Sequence, residues 1–207
     1  MTDIYHITHI SNICSMVTAG GIWCDALINS RNLAPLVIGY EHIKERRSKR
    51  EVEVAKGGFL SEYVPFYFCP RSPMLYVIHH GFIQGYQGGQ SKVLHLVSSV
   101  EVVQAKSLSF FFTDGHAEQQ ISHQFGSSND LDKLDWQVIN DPIWHNISSD
   151  TDRKRRKQAE FLVHNFFPWD LIKEIGVYDE QMKNEVCKVL NKSGCKSVVK
   201  VHQNWYY

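Results

Sequence analysis

The chain has 207 residues, of which 43% are hydrophobic and 21% charged, and its 22 basic side chains balance its 22 acidic ones. This composition is typical of a folded globular protein and excludes a disordered chain, while zero net charge excludes a global field that draws the molecule onto nucleic acid or membranes. No apolar run is long enough to span a bilayer and the N-terminus lacks a signal-peptide pattern, so we expect one cytoplasmic domain over residues 1–207, not associated with membranes.

Short strands and helices alternate along the sequence. Strands are predicted where apolar and polar residues alternate or where a short apolar run is bounded by polar residues, and helices where a capping residue precedes a helical pattern. The predicted strands cover residues 4–10, 22–27, 62–68, 93–99, 109–113, 160–163, 175–178 and 198–207. The predicted helices cover residues 11–17, 40–50, a segment beginning near Pro73, 117–125, 131–139 and 179–190. Many short strands with interspersed helices indicate an α+β fold.

Residue spacing excludes several kinds of site. Gly57–Gly58 and Gly88–Gly89 fit neither the dinucleotide fingerprint nor the phosphate-binding loop. Five scattered cysteines without a C-x-x-C pair favour reduced thiols over a disulfide framework or a zinc ribbon. His6 and His9 lie three residues apart on a predicted strand and so point to opposite faces, and we predict no metal site.

One stretch joins a run of cations to a single carboxylate at the start of an apolar segment. Its cations are Arg153, Lys154, Arg155, Arg156 and Lys157. Glu160 follows and opens the run Phe161-Leu162-Val163, which predicts a buried strand. A carboxylate where such a strand leaves the core is suited to stabilising a developing positive charge. Alternatively, Glu160 pairs with these cations on a solvated surface, as most charge runs do.

Two other features suit the same chemistry. His6 on the first predicted strand can hydrogen-bond a sugar hydroxyl or hold a nucleotide. The aromatic strand carries Tyr63, Phe66 and Tyr67, whose flat rings suit stacking on a heterocycle. Ordinary core packing explains these three rings equally well, since tyrosine and phenylalanine fill cores in many proteins.

Several motifs occur in a specific order along the chain. I-Y-H-I-T-H-I stands at the start, G-G-F-L-S-E-Y-V-P-F-Y-F-C-P-R-S-P-M-L-Y in the middle and K-Q-A-E-F-L-V later, with H-I-K-E-R-R, H-L-V-S-S, T-D-G-H and a terminal W-Y-Y in the remaining chain. Together they resemble the DarT family, bacterial toxins of DarT–DarG systems that use NAD to ADP-ribosylate single-stranded DNA. The resemblance implies the ADP-ribosyltransferase fold, a split pair of small β-sheets with flanking helices and NAD in the cleft between them.

The resemblance also implies roles for single residues. Glu160 matches the catalytic glutamate, Arg47 an active-site arginine, and His116 a further active-site histidine. Residues 29–56 match an element that covers NAD, and the loop before Glu160 matches a substrate-recognition loop. With the aromatic residues added, the predicted NAD-binding set is His6, Thr8, Asn12, Arg47, Tyr63, Phe66 and Tyr67. The predicted DNA contacts are the five cations from Arg153 to Lys157.

We therefore predict an NAD-dependent enzyme that transfers ADP-ribose to a base, thymine, in single-stranded DNA without a metal ion. Glu160 would stabilise positive charge on the ribose, Arg47 would bind phosphate or polarise the base, and His116 would move a proton. A monomeric toxin in the bacterial cytoplasm, antagonised by a DarG-type macrodomain protein, is implied. Two alternatives are a binding module for NAD or single-stranded nucleic acid without transferase activity, and a metal-dependent nuclease.

Overall fold

The computed structural model describes residues 1–31 and 33–207. Asn32, within the segment expected to cover NAD, lies outside the described residues. Within the described residues the strands are β1 (Asp3–His9), β2 (Gly21–Trp23), β3 (Tyr63–Tyr67), β4 (Val93–Ser99), β5 (Phe110–Thr113), β6 (Gln124–Phe125), β7 (Glu160–His164), β8 (Phe166–Pro168), β9 (Glu174–Val177) and β10 (Val199–Val201). The helices are α1 (Ile13–Thr18), α2 (Asp25–Ile28), α3 (Glu41–Arg47), α4 (Pro73–His79), α5 (Val100–Ala105), α6 (Trp136–Asn140), α7 (Arg153–Arg156) and α8 (Glu180–Lys192).

Eight of these strands form one sheet that is nearly divided in two. Their order is β10-β9-β4-β1-β3-β7-β5-β6, and β2 pairs with β8 in a separate two-stranded sheet. Strand β1 pairs with β4 over seven residues but meets β3 at one pair, Tyr5 opposite Tyr67. The α+β class and the split architecture are confirmed, although the halves stay joined at this pair. The strands diverge beyond the junction, and a cleft opens between them.

One hydrophobic core packs residues from both halves of the sheet together. The largest cluster combines Ile4 and Leu96 of one half with Phe66 and Phe161 of the other. Burying a side chain of this size contributes roughly 1.5–3 kcal/mol, so packing across the junction compensates for the missing backbone pairs. Helix α8 lies against β9 and β10, with Met182, Val186 and Leu190 buried at helical spacing.

Most predicted elements are present, and the exceptions have local causes. Residues 117–125 form turns and β6 instead of a helix, because the hydroxyl of Ser122 donates to the carbonyl of His116 and Asp114 accepts from the N–H of His123. Such contacts favour turns over helices. The helix predicted over 131–139 breaks at Leu134, which has an extended backbone, and begins again after Asp135 caps α6. No helix in the described part of the chain is long and apolar enough to cross a membrane.

Candidate active site

The cleft between β1 and β3 encloses about 430 Å³ and extends under α3 and α4. Residues from β1, β3, β7, α3, α4 and the turn after β5 line it, so both halves of the sheet contribute. Glu160, the first residue of β7, lies on its floor, where Tyr67 of β3 is its register partner. The solvated-surface interpretation of Glu160 is wrong, because this residue is 3% exposed.

Two hydrogen bonds from distant parts of the chain hold the Glu160 carboxylate, and His116 lies close to it. Arg47 Nη1 donates to Glu160 Oε2 at 2.8 Å, and the backbone N–H of Ala117 donates to Glu160 Oε1 at 2.9 Å. His116 Nδ1 lies 3.8 Å from Oε1. Burial alone would raise the pKa of Glu160, but the charge of Arg47 and the hydrogen bonds from Arg47 and the Ala117 N–H lower it below its ordinary value. The carboxylate is therefore ionised at neutral pH despite its burial.

Arg47 reaches the cleft from the last turn of α3. Its second terminal nitrogen, Nη2, is buried without a hydrogen-bond partner among the described residues. Burial opposes the charge of Arg47, but Glu160 more than offsets it and raises the pKa of Arg47. A buried guanidinium N–H without a partner is costly, so this donor is available for an anionic or carbonyl oxygen of a ligand.

His116 stands on the turn after β5, against Arg155 of α7. The backbone N–H of His116 donates to the carbonyl of Arg155 at 3.1 Å. Gly115 allows this approach, since a Cβ at that position would lie 3.0 Å from the same carbonyl oxygen. His116 Nδ1 accepts from the N–H of Glu118 at 3.3 Å, so the neutral ring carries its proton on Nε2. Burial lowers the pKa of His116, which makes the neutral form dominant at pH 7.

The predicted NAD-binding residues of β1 and of the turn before α1 reach the cleft in different ways. His6 Nδ1 donates to the carbonyl of Pro65 at 2.8 Å, which leaves Nε2 as an acceptor. Burial lowers the pKa of His6 and keeps the ring neutral. The side chain of Asn12 bonds both backbone groups of Leu36 and donates to Thr8 Oγ1, so Asn12 and Thr8 fix the segment that covers this end of the cleft.

The three aromatic residues of β3 separate into two environments. Tyr63 does not line the cleft: it is 1% exposed, packs against Phe111 and donates to the carbonyl of Gly57. Its predicted contact with NAD is therefore not supported, because the ring belongs to a separate core cluster. Phe66 lines the cleft as a 1% exposed ring packed on Phe167, so it offers no free stacking face. Tyr67 is half-buried and lines the cleft beside Glu160.

The run of cations is mostly internal, which corrects the prediction that all five contact DNA. Arg153 pairs with Asp141, Arg155 with Asp114 and Asp152, and Arg156 with Asp135 and Asp150. Lys157 is 3% exposed and donates to the carbonyls of Ile139 and Asp141. Lys154 is exposed and lines the cleft. Successive side chains of a helix project about 100° apart, and Lys154 is the exposed member of the run.

Sequence reasoning missed several residues that line the cleft. Arg46 pairs with Glu118 across it at 2.8 Å, and Lys44 pairs with Asp25 at 2.9 Å. Gln158, two residues before Glu160, also faces it. Gln158 stands two residues before the predicted catalytic glutamate, so its position in the sequence indicated a place in the site. The ion pairs join distant segments, so no sequence pattern indicated them. No group of three histidine, cysteine, aspartate or glutamate side chains is placed to bind a metal ion within residues 1–31 and 33–207.

A carboxylate kept ionised at the floor of a cleft, where a split sheet opens, is the site expected of an ADP-ribosyltransferase. Comparisons with known proteins agree. Residues 5–207 match the family described as DarT, ssDNA thymidine ADP-ribosyltransferase. A DNA ADP-ribosyl transferase of Thermus sp. (strain 2.9) is 42% identical over 208 residues, spanning 100% of this chain and 96% of the relative.

Solved structures give the same answer. Thermus sp. 2.9 DarT in complex with ADP-ribosylated ssDNA superposes with a TM-score of 0.92 at 41% identity, covering 100% of this chain and 96% of that one. The same protein in complex with NAD+ gives 0.87 at 38% identity, with 100% and 98% covered. The chain belongs to the DarT family.

Proposed function

We propose that this protein transfers ADP-ribose from NAD+ to thymidine in single-stranded DNA, with Glu160 as the catalytic carboxylate. The observation that carries the proposal is Glu160 itself, which is buried in the cleft yet held ionised by Arg47 and the Ala117 N–H. A negative charge fixed in a water-poor site is best used where positive charge develops during a reaction. Family membership supports the same reaction.

The residues of the cleft fit NAD+ as the donor substrate. NAD+ supplies the ADP-ribose group and releases neutral nicotinamide. The unpaired Nη2 of Arg47 suits a phosphate or carbonyl oxygen, and Nε2 of His6 suits a ribose hydroxyl. Thr8, Asn12, Phe66 and Tyr67 complete the proposed binding set.

Glu160 is proposed to act on the ribose. As the bond to nicotinamide breaks, positive charge develops on the sugar, and a carboxylate close to it stabilises the transition state more than the ground state. Arg47 and Ala117 fix the orientation of the carboxylate, so little reorganisation is needed during the step.

Arg47 and His116 are proposed to act on the acceptor base. Thymine carries one ionisable proton, on its imide nitrogen; as ADP-ribose passes to the base and nicotinamide leaves, this proton is released to solvent. A guanidinium next to the base stabilises the anion and lowers the pKa of the imide. His116 carries its proton on Nε2 and can donate it in a hydrogen bond to a base carbonyl. This assignment differs from the proton-moving role expected from the sequence.

Single strands are the proposed substrate because the acceptor base has to reach the floor of the cleft. In a duplex, that movement costs the unpairing and unstacking of the base. Lys154 at the cleft mouth is the proposed phosphate contact of α7. The family resemblance further supports a toxin that acts as a monomeric single domain in the bacterial cytoplasm, with a DarG-type macrodomain protein as its antagonist.

The test is mass spectrometry of thymidine-containing single strands incubated with NAD+, with a matched duplex and the Glu160→Gln protein alongside. Glutamine keeps the shape of the side chain and removes its charge. We expect an ADP-ribose adduct on the single strand, at least about 100-fold less with the variant, and NAD+ affinity within a few-fold of wild type. Binding of NAD+ without an adduct on any strand would instead indicate a binding module.

A further inference from the structure

Four aromatic rings form a continuous row that begins at the cleft and follows α4. They are Trp144, Tyr76, His80 and Phe82, and we call this row the aromatic track. The centroids of successive rings are 4.7, 4.3 and 5.5 Å apart. Trp144 lines the cleft, so the track begins at the cavity and leads away from it.

Helix geometry explains why these rings form a row. Tyr76 and His80 are four residues apart and therefore lie on the same face of α4, at its C-terminal end. The helix ends at His79, and Gly81 follows its capping residue with a φ of +70°, which suits glycine. This turn brings the ring of Phe82 back to stack on His80, with 17° between the planes.

The outer end of the track is open to solvent. Phe82 is 61% exposed and His80 is exposed, whereas Tyr76 and Trp144 are half-buried. Single exposed apolar residues are common, but a continuous row of flat rings that ends in exposed ones is characteristic of a binding surface. Flat rings are the groups on which unpaired bases stack.

The charges around the track suit a polyanion. Lys154 Nζ lies 5.9 Å from the ring centroid of Trp144. Tyr207, whose ring is 5.1 Å from that of Tyr76, carries the Arg71 guanidinium 4.4 Å above its face. The carboxylates of the loop that carries Trp144 are neutralised, since Asp141, Asp150 and Asp152 pair with the arginines of α7. Cations therefore flank the rings and these loop carboxylates do not repel phosphate.

We propose that the aromatic track binds the nucleotides next to the acceptor thymidine by stacking their bases. This proposal rests on the proposed function, which places the thymidine in the cleft where the track begins. Rings interleaved with cations match the surface that single-stranded nucleic acid requires, with phosphates near the cations and bases on the rings. A duplex keeps its base faces covered, so the track also favours single strands.

The experiment measures how affinity depends on strand length, by fluorescence anisotropy without NAD+. The strands carry one central thymidine and range from about three to about nine nucleotides, extended in one series on the 5′ side and in another on the 3′ side. The variants are Phe82→Ala and the double variant with His80→Ala. Phe82→Tyr keeps a flat ring, and Val198→Ala truncates an exposed residue just before β10. ADP-ribose transfer is measured in parallel.

In one of the two series, 5′ or 3′, we expect wild type to bind the longer strand more tightly than the shorter one. Phe82→Ala should weaken binding of that longer strand by about fivefold or more, the double variant further, and Phe82→Tyr should restore it. Val198→Ala should bind as wild type does. Equal affinity of wild type and Phe82→Ala for every strand would contradict the proposal that the aromatic track stacks bases. The rings would then be a packing cluster or a protein contact. Binding that depends on the track without any transfer would contradict the proposed function alone.

Discussion

At the scale of single residues, the cleft depends on one buried ion pair. Glu160 and Arg47 are 113 positions apart in sequence and 2.8 Å apart in space. Pairing a buried charge compensates for its loss of water, while removing one partner leaves the other charge uncompensated. Each partner therefore sets the protonation and orientation of the other.

Arg47→Ala should raise the pKa of Glu160, because burial then acts on the carboxylate without its main opposing charge. We expect transfer at pH 7 to fall by at least about 100-fold, with the residual rate rising with pH as Glu160 ionises. Arg47→Lys keeps the charge but loses the Nη2 donor, so we expect an intermediate rate. The test measures the transfer rate of both variants from about pH 5 to about pH 9 and their stability by thermal unfolding. Equal rates for Arg47→Ala and wild type would return Arg47 to a structural role.

The pH dependence of transfer should report His116. Its pKa is lowered below 6.5, so the ring is neutral at pH 7 and begins to protonate only below that value. A protonated His116 would pair with Glu160, 3.8 Å away, and withdraw the carboxylate from the ribose. We expect a rate that declines as the pH falls below 6.5, while Glu160 stays ionised because its pKa is below 4.5. His116→Gln should remove this decline. A decline of the same shape in that variant would assign it to another group.

At the scale of elements, α7 is a support for the active site more than a DNA-binding helix. Arg155 donates to Asp114 at 2.9 Å and its carbonyl accepts from His116, so α7 holds the turn that supplies His116 and Ala117. Lys154, the residue before Arg155 in the same short helix, is exposed to solvent. We therefore expect Arg155 to support the turn and Lys154 to be available to DNA.

Substitution of these two neighbours should separate the tasks. Lys154→Ala should weaken single-strand binding several-fold without changing the melting temperature, since it removes a phosphate contact. Arg155→Ala should lower the melting temperature by a few degrees and reduce turnover, since it loosens the turn that carries His116. Anisotropy and thermal unfolding measure both effects. Equal loss of DNA affinity in the two variants, both with unchanged melting temperatures, would restore the prediction that the whole run contacts DNA.

At the scale of the whole molecule, acidic and basic side chains balance, and a single residue pair joins the two halves of the large sheet. Net charge is zero, and most cations of the basic run are paired internally. We therefore expect DNA binding to rely on few phosphate contacts together with stacking. The single pair between β1 and β3 lets the sheet form one body and still open a cleft.

The salt dependence of binding should accordingly be shallow. For single strands, log K falls with log salt by about 0.7 for each phosphate neutralised. With Lys154 as the outward member of the run, we expect a total slope of magnitude below about 2, decreasing by about 0.7 in Lys154→Ala. Binding isotherms at several sodium chloride concentrations measure it. A slope of magnitude about 4 or more would mean that the paired arginines are released to contact DNA.

The sequence alone identified the α+β class, most strands, the family and the position of Glu160. These depend on local information: alternation and apolar runs define strands, and short motifs hold their residues at fixed spacing. The resemblance also indicated Arg47 and His116, which the structure brings to Glu160. Their proposed roles in catalysis stay predictions until the variants are measured.

Tertiary structure decided what each of these residues can do. It buried Tyr63 in a separate core, paired four of the five cations of the basic run internally and fixed the proton of His116 on Nε2. It also assembled the aromatic track from a helix and a loop more than sixty residues apart. The physical reason is common to all of them. The partner of a charge or a ring is chosen by contacts between distant segments, and no local pattern in the sequence records that choice.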